Sequence, residues 1–152
     1  MILSPDFIAY EQKCAAVSAL RADALPLNKS TLFDALADAE IRTVVIEFDG
    51  SGDSGQLENM ICLNAANAEV ALPERQIEIR RVQFEGPSIL VVRHTVLEAL
   101  EALAYGFLED THDGWENGEG AHGEFTFDVA NRSIALDYNE RFTDSTSYQH
   151  EF

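Results

Sequence analysis

The chain has 152 residues, 46% of them hydrophobic, which suits one globular domain with a substantial core. Its 27 acidic and ten basic residues give a net charge of −17, which opposes binding to nucleic acid or to an anionic membrane and favours a basic protein as partner. No apolar run reaches the roughly 18 residues of a membrane-spanning helix, and no signal peptide is evident, so we expect a cytoplasmic monomer or small homo-oligomer that does not itself bind DNA.

Helical patterns fill the first part of the chain, residues 1–40. Ser4 is a candidate N-cap and is followed by a proline, which suits the first helical position, so a helix is predicted to run to about Ala22. A second, shorter helix is predicted to begin at Asn28 or Ser30, because either side chain can cap it and an apolar stripe follows.

The pattern changes to the two-residue period of strands over residues 43–92. In "RTVVIEFDG" apolar residues alternate with acidic ones, and the turn "GSGDSG" leads into "QLENMICLNA", which predicts a hairpin. Two further strands are predicted at residues 76–84 and, shorter, at 88–92, with a Gly-Pro turn between them.

The clearest helix covers residues 94–109. Thr95 can cap it, and Glu98 stands where a capping box needs an acid. A broad apolar face follows, although Gly106 costs about 1 kcal/mol relative to alanine in a helix interior. This helix must therefore be stabilised by packing of its apolar face.

A hairpin is predicted over residues 122–140, where "EFTFDV" and "SIALDY" alternate and "ANRS" joins them. The final residues, "TSYQHEF", are predicted to pack on the domain through Tyr148 and Phe152. Together the elements predict a single acidic α+β domain over residues 1–152, in which an antiparallel sheet built from hairpins is packed by helices on one face.

The main functional candidate is the stretch "DTHDGWENGEGAHGEFTFDV", residues 110–129, which follows the helix predicted over residues 94–109 and runs into the predicted hairpin. It contains the only tryptophan, and no lysine or arginine occurs from His94 to Asn131. Its donors for a divalent cation are Asp110, His112, Asp113, Glu116, His122 and Glu124. Their spacing matches no metal motif, so a solvated glycine-rich loop is one interpretation. The enzymatic alternative is a metal-dependent hydrolase that uses this loop, with His112 and His122 as nitrogen ligands.

Motifs for nucleophilic catalysis and for phosphate binding are missing. Ser51, Ser54 and Cys62 lack a nucleophile elbow, and "GSGDSG" lacks the lysine of a P-loop. The stretch "DGSGDSGQLE" follows a calcium loop for only three ligand positions. Neither Cys14 nor Cys62 belongs to a metal or redox motif, so both thiols are expected to be buried and reduced. We predict no catalytic residue, metal or cofactor.

The acidic charge is concentrated towards the C-terminus. Residues 98–152 hold thirteen acidic and two basic side chains, against fourteen and eight in residues 1–97. Such an array can enter a basic groove built for nucleic acid, because duplex DNA is itself a rod of closely spaced negative charge. We predict a non-enzymatic binding or accessory protein, with one candidate role as a nucleic-acid-mimicking inhibitor of a basic partner such as a CRISPR or restriction complex. The predicted contact residues, with the tryptophan as aromatic anchor, are Glu109, Asp110, Asp113, Trp115, Glu116, Glu119 and Glu124.

Several sequence words resemble a family of small bacterial proteins known only as a domain of unknown function. They are Trp-Glu-Asn, Gly-Glu-Phe-Thr-Phe-Asp-Val, Tyr-Asn-Glu-Arg-Phe and the upstream "VVIEFDGSGDSGQLE". The resemblance covers residues 44–152. It implies a bacterial origin, and it brings no activity and no catalytic residue with it.

Overall fold

The computed structural model describes residues 4–52, 54–142 and 147–151. Its elements follow the order α1 Pro5–Asp38, β1 Thr43–Ser51, β2 Ser54–Leu63, β3 Gln76–Gln83, β4 Ser88–Thr95, α2 Val96–Thr111, β5 Ala121–Asp128 and β6 Ser133–Glu140. Four strands form an antiparallel sheet in the order β2-β1-β5-β6, while β3 and β4 form a separate two-stranded sheet. The predicted α+β class and hairpins are confirmed, and the structure adds that the hairpins belong to two sheets.

The prediction of two N-terminal helices is wrong, because one helix, α1, covers the whole segment and contains Pro26 in its interior. Asn28 does not cap a helix. Its side-chain Nδ2 donates to the carbonyl oxygen of Arg80 at 2.9 Å, and its Oδ1 accepts the Arg80 N–H at 2.8 Å. A proline in a helix interior costs about 3 kcal/mol, so the docking of α1 against β3 outweighs the local signal that favoured a break.

The helix predicted over residues 94–109 corresponds to α2, and its predicted N-cap, Thr95, is confirmed. Thr95 Oγ1 accepts the Glu98 N–H at 3.1 Å, and the Glu98 carboxylate accepts the Thr95 N–H at 3.0 Å, which completes the capping box. Hydrogen bonding from Thr95 lowers the pKa of Glu98. Strand β4 continues to Thr95 instead of ending at Val92, so the chain passes from β4 into α2 without a loop.

Both helices pack on the same face of the four-stranded sheet. Phe33 of α1 contacts Phe127 of β5 at 6.4 Å between ring centroids, and Phe107 of α2 contacts Phe125 at 6.3 Å. We call this the inner face, and its side chains from the three strands β1, β5 and β6 include Val44, Ile46, Phe48, Phe125, Phe127, Ile134, Leu136 and Tyr138. The opposite, outer face carries the alternate residues of the same strands, many of them acidic.

Three smaller expectations have mixed outcomes. Cys62 is buried, which raises the pKa of its thiol, whereas Cys14 is only half-buried. Tyr148 is 78% exposed, so the predicted packing of the C-terminal residues is wrong at this position; Phe152 lies outside the described residues. In the part of the chain that the structure describes, neither helix combines the length and apolar character needed to cross a membrane.

Candidate functional site

The loop between α2 and β5 folds over the tip of the β1–β2 hairpin. The indole of Trp115 is 6% exposed and lies against Gly50 and Gly55, which are paired in the β1–β2 register. A Cβ on Gly50 would lie 2.6 Å from Cζ3 of the indole, and a Cβ on Gly55 would lie closer still. Glycine is therefore required at both positions because the ring approaches the backbone so closely.

An aromatic row continues from Trp115 across the inner face. Phe48 contacts the indole edge-on, with centroids 5.6 Å apart, and stacks at 6.1 Å on Tyr138. Gly123 lies between Phe48 and Tyr138 in the strand register, and a Cβ there would lie 2.9 Å from Cζ of Phe48 and closer still to the Asp137 carbonyl oxygen. His112, the C-cap of α2, stacks on Tyr138 with 3.6 Å between centroids. The loop's tryptophan and first histidine thus belong to the packing of the inner face.

Arg141, which follows β6, forms hydrogen bonds both to β1 and to the end of the loop between α2 and β5. Its guanidinium donates to both carboxylate oxygens of Asp49, at 3.0 and 2.8 Å, and to the Gly50 carbonyl at 3.1 Å. Its backbone N–H donates to the Gly120 carbonyl at 2.9 Å. Hydrogen bonding from Arg141 holds the pKa of the Asp49 carboxyl below its usual value. Sequence reasoning missed this pair, although an arginine in so acidic a segment was an available signal.

The outer face carries a row of three carboxylates on three adjacent strands. Glu47 of β1 is directly opposite Glu124 of β5, and Glu124 is directly opposite Asp137 of β6. We call these three residues the acidic row. With Asp49 and Glu58 beside them, they border a groove of about 470 Å³, which Arg141 and His122 also line. Within the described residues, no ion pair neutralises any member of the row.

This arrangement has a physical cost. Like charges directly opposite each other on neighbouring strands repel, and they destabilise a sheet. The outward orientation of Glu47 follows from the alternation in its strand, but sequence reasoning did not find the row, because its members come together only through the pairing of β1 with β5 and of β5 with β6. The acidic row therefore does not contribute to the stability of the sheet, in contrast to the packed inner face.

The contact residues predicted from the sequence separate into three places. Glu109 and Asp110 line a cavity beside the C-terminal end of α2, which is separate from the groove at the acidic row. Those in the loop are Asp113, Trp115, Glu116 and Glu119. Only Glu124 of this set lies on the outer face, in the acidic row. Because Trp115 is almost fully buried, its ring offers little surface to a partner.

The metal alternative needs His112 and His122 in one place. His112 packs on Tyr138 at the inner face, whereas His122 is paired with Asp49 and points to the outer face, since successive side chains of a strand lie on opposite sides. The sheet therefore separates the two imidazoles. In residues 4–52, 54–142 and 147–151, no group of three or more His, Cys, Asp or Glu side chains is arranged to hold a metal ion.

Comparison with protein families gives a match over residues 24–152, to the family of unknown function DUF6878. The chain belongs to this family. No curated protein and no solved structure matches it. Among the described residues, the region matched to DUF6878 contains β1 to β6, α2 and the C-terminal part of α1, so it includes the aromatic row, Arg141 and the acidic row alike.

The distinctive sequence motifs of this DUF6878 chain lie close together in the folded structure. Trp-Glu-Asn supplies Trp115, and "FDGSGDSG" supplies Gly50 and Gly55 beneath the indole as well as Asp49. Tyr-Asn-Glu-Arg-Phe supplies Arg141, which binds that aspartate. These motifs therefore describe one contiguous piece of folded structure.

Proposed function

We propose that this chain is a binding protein whose acidic outer face docks on the basic surface of a nucleic-acid-handling protein, in the place that nucleic acid would occupy. The acidic row supports this proposal. Its directly opposite carboxylates disfavour folding by roughly 0.2–1 kcal/mol per pair. Cationic side chains of a partner would offset this repulsion, and the binding free energy would become more favourable by the same amount.

The position of the row in the sheet also suits binding. Glu47 and Glu124 lie on β1 and β5, which are the two central strands and are paired on both sides. Their backbone is therefore fixed before a partner arrives, which reduces the entropy lost on association. Adjacent strands lie about 4.7–4.9 Å apart, so the carboxylates form a dense array of negative charge comparable in kind to a nucleic-acid backbone.

The net charge of −17 adds long-range attraction to a basic partner. Such attraction raises the association rate and falls steeply with salt. In this proposal specificity comes from the fixed pattern of side chains on the outer face. Two residues along the strands from the acidic row, Asp49 is directly opposite His122, and His122 is directly opposite Asn139. Trp115 acts indirectly, because it supports the hairpin from which the acids of β1 project.

The experiment compares three baits in affinity capture from nuclease-treated extracts of the source cells. They are the wild type, a row variant and a loop control of equal charge loss. The row variant combines Glu47→Gln, Glu124→Gln and Asp137→Asn. The loop control combines Asp113→Asn, Glu116→Gln and Glu119→Gln.

We expect one basic, nucleic-acid-binding protein to be recovered by the wild type and the loop control and to be lost with the row variant. Added duplex or single-stranded nucleic acid should displace it, because both ligands would occupy the same basic groove. A partner that the row variant retains would contradict the assignment of the surface. A partner that nucleic acid does not displace would contradict the mimicry.

A further inference from the structure

A second cavity lies between α1, α2 and β3, separate from the acidic row. It has a volume of about 290 Å³. Its apolar wall residues include Leu25, Ile79, Leu103 and Phe107. Small-molecule sites are usually apolar clefts of about 300–1,000 Å³ with a few polar groups, so this cavity is of the size that suits a small ligand.

Gly106 of α2 borders the cavity, and packing does not require a glycine there. A Cβ built on Gly106 meets no atom within 4 Å, in contrast to the glycines beneath Trp115. Glycine weakens a helix interior relative to alanine. The helix therefore loses stability at a position where a larger side chain would project into open space beside the cavity.

Three arginines line the cavity without an ion-pair partner among the residues that the structure describes: Arg21, Arg80 and Arg81. The chain has 27 acidic side chains for ten basic ones, so partners are plentiful. Glu109 and Asp110 also line the cavity, yet neither pairs with these arginines. Guanidinium groups bind carboxylates strongly, with two parallel hydrogen bonds.

His94 adds an imidazole that is only weakly paired. Its Nδ1 is buried and lies 3.7 Å from Oε2 of Glu98, within ion-pair distance but longer than a good hydrogen bond. His94 lines the same cavity. The imidazole is therefore a polar group of the cavity lining that Glu98 satisfies only in part.

We propose that this cavity binds a small hydrophobic carboxylate. The apolar body of the ligand lies against Leu25, Ile79 and Phe107, and its carboxylate is held by Arg21 and Arg81. Most acidic side chains of the chain lie outside the cavity, and charges more than about 8 Å away are largely screened at physiological ionic strength. Glu109 and Asp110, which line the cavity, are the exceptions, and Arg21 and Arg81 must offset their repulsion of a ligand carboxylate. This site goes beyond the proposed partner-binding function and does not depend on it.

The first test is calorimetric titration of the full chain with octanoate, octylamine and octanol, which share one apolar body. Octanoate should bind saturably at one site per chain. Octanol should bind about tenfold more weakly, because it loses the charge-assisted hydrogen bonds, and octylamine should bind more weakly again. Equal affinities for the three compounds, or no binding of octanoate, would overturn the proposal.

Variants then locate the site. Arg21→Gln and Arg81→Gln should each weaken octanoate binding about tenfold, while Arg93→Gln, an arginine of the same hairpin outside the cavity, should leave it unchanged. Gly106→Leu should abolish octanoate binding, because the leucine side chain fills the cavity. If Gly106→Leu does not fold, Ala102→Leu, at an exposed position on the same wall of the cavity, makes the same test. Unchanged binding in a folded filling variant would overturn the proposal.

Discussion

The two faces of the four-stranded sheet differ in how well folding explains them. On the inner face Trp115 covers Gly50 and Gly55, and the neighbouring aromatic rings pack against one another. On the outer face Glu47 and Glu124 stand directly opposite each other, with no cation paired to either among the described residues. A rare residue in a glycine-rich loop is thus structural here, while the acids on the strands, which packing does not explain, are the basis of the proposed binding surface.

The largest effect is expected from removing the tryptophan of the inner face. Trp115→Ala should lower the free energy of unfolding by about 3–5 kcal/mol, because it leaves a cavity over the hairpin tip. Trp115→Phe, which keeps an aromatic ring, should cost less. Urea unfolding followed by far-ultraviolet circular dichroism measures both, since no tryptophan fluorescence remains. A loss below about 1 kcal/mol in Trp115→Ala would show that the indole is not structural.

A smaller effect is expected at the glycine beneath the ring. Gly55→Ala should destabilise the wild type by about 1–3 kcal/mol, because its Cβ would overlap the indole. In the Trp115→Ala background the cost should largely disappear, which a double-mutant cycle measures. Gly106→Ala is the matched control and should raise stability by up to about 1 kcal/mol. Equal costs of Gly55→Ala in the two backgrounds would mean that the glycine is needed for another reason.

The sequence predicts much of the fold because strands and α2 follow local rules. The capping box at Thr95 and the alternation in the three hairpins depend on residues that are close in the chain. The single helix α1 could not be predicted in this way. Its continuity past Pro26 depends on the pairing of Asn28 with Arg80, which lies 52 residues away.

The candidate site was less predictable for the same reason. The sequence marks the loop around Trp115 as distinctive, but only the packing shows that its ring is buried. The acidic row depends on strand pairing, and a one-residue change of register would turn its carboxylates away. The bond between Asp49 and Arg141 joins residues 92 positions apart. Local patterns contain no information about such pairings.

Relieving the repulsion on the outer face should have a modest, stabilising effect. Glu124→Gln should raise the free energy of unfolding by about 0.2–1 kcal/mol, because it removes one charge from the middle of the row. Glu119→Gln in the loop is the control and should change stability less. Added salt should stabilise the wild type more than Glu124→Gln, since salt screens the repulsion. A loss of stability in Glu124→Gln at low salt would show that the row is compensated.

An effect of similar, modest size concerns pH and the ion pair between Asp49 and Arg141. The folded pKa of Asp49 lies below its unfolded value, so the contribution to stability is complete above about pH 4 and is lost as pH falls through the folded pKa. Arg141→Gln should therefore lower the melting temperature near neutral pH, and the difference from wild type should shrink in acid.

The effect of Arg141→Gln should be limited to roughly a few degrees, because the two side chains, 36% and 39% exposed, are screened by solvent. Thermal melts between pH 3 and pH 7 check it, with Arg93→Gln as control. A difference that is independent of pH would place the role of Arg141 in its bonds to the backbone instead.

The most direct test of the outer face as a binding surface is the affinity of the captured basic partner at several salt concentrations. Wild type, the row variant and the loop control are compared by calorimetry or surface plasmon resonance. The row variant should bind at least about tenfold more weakly than wild type and depend less on salt, while the loop control stays within about twofold. Equal losses in the row variant and the loop control would contradict the account, because they would show that total charge, and not the acidic row, determines binding.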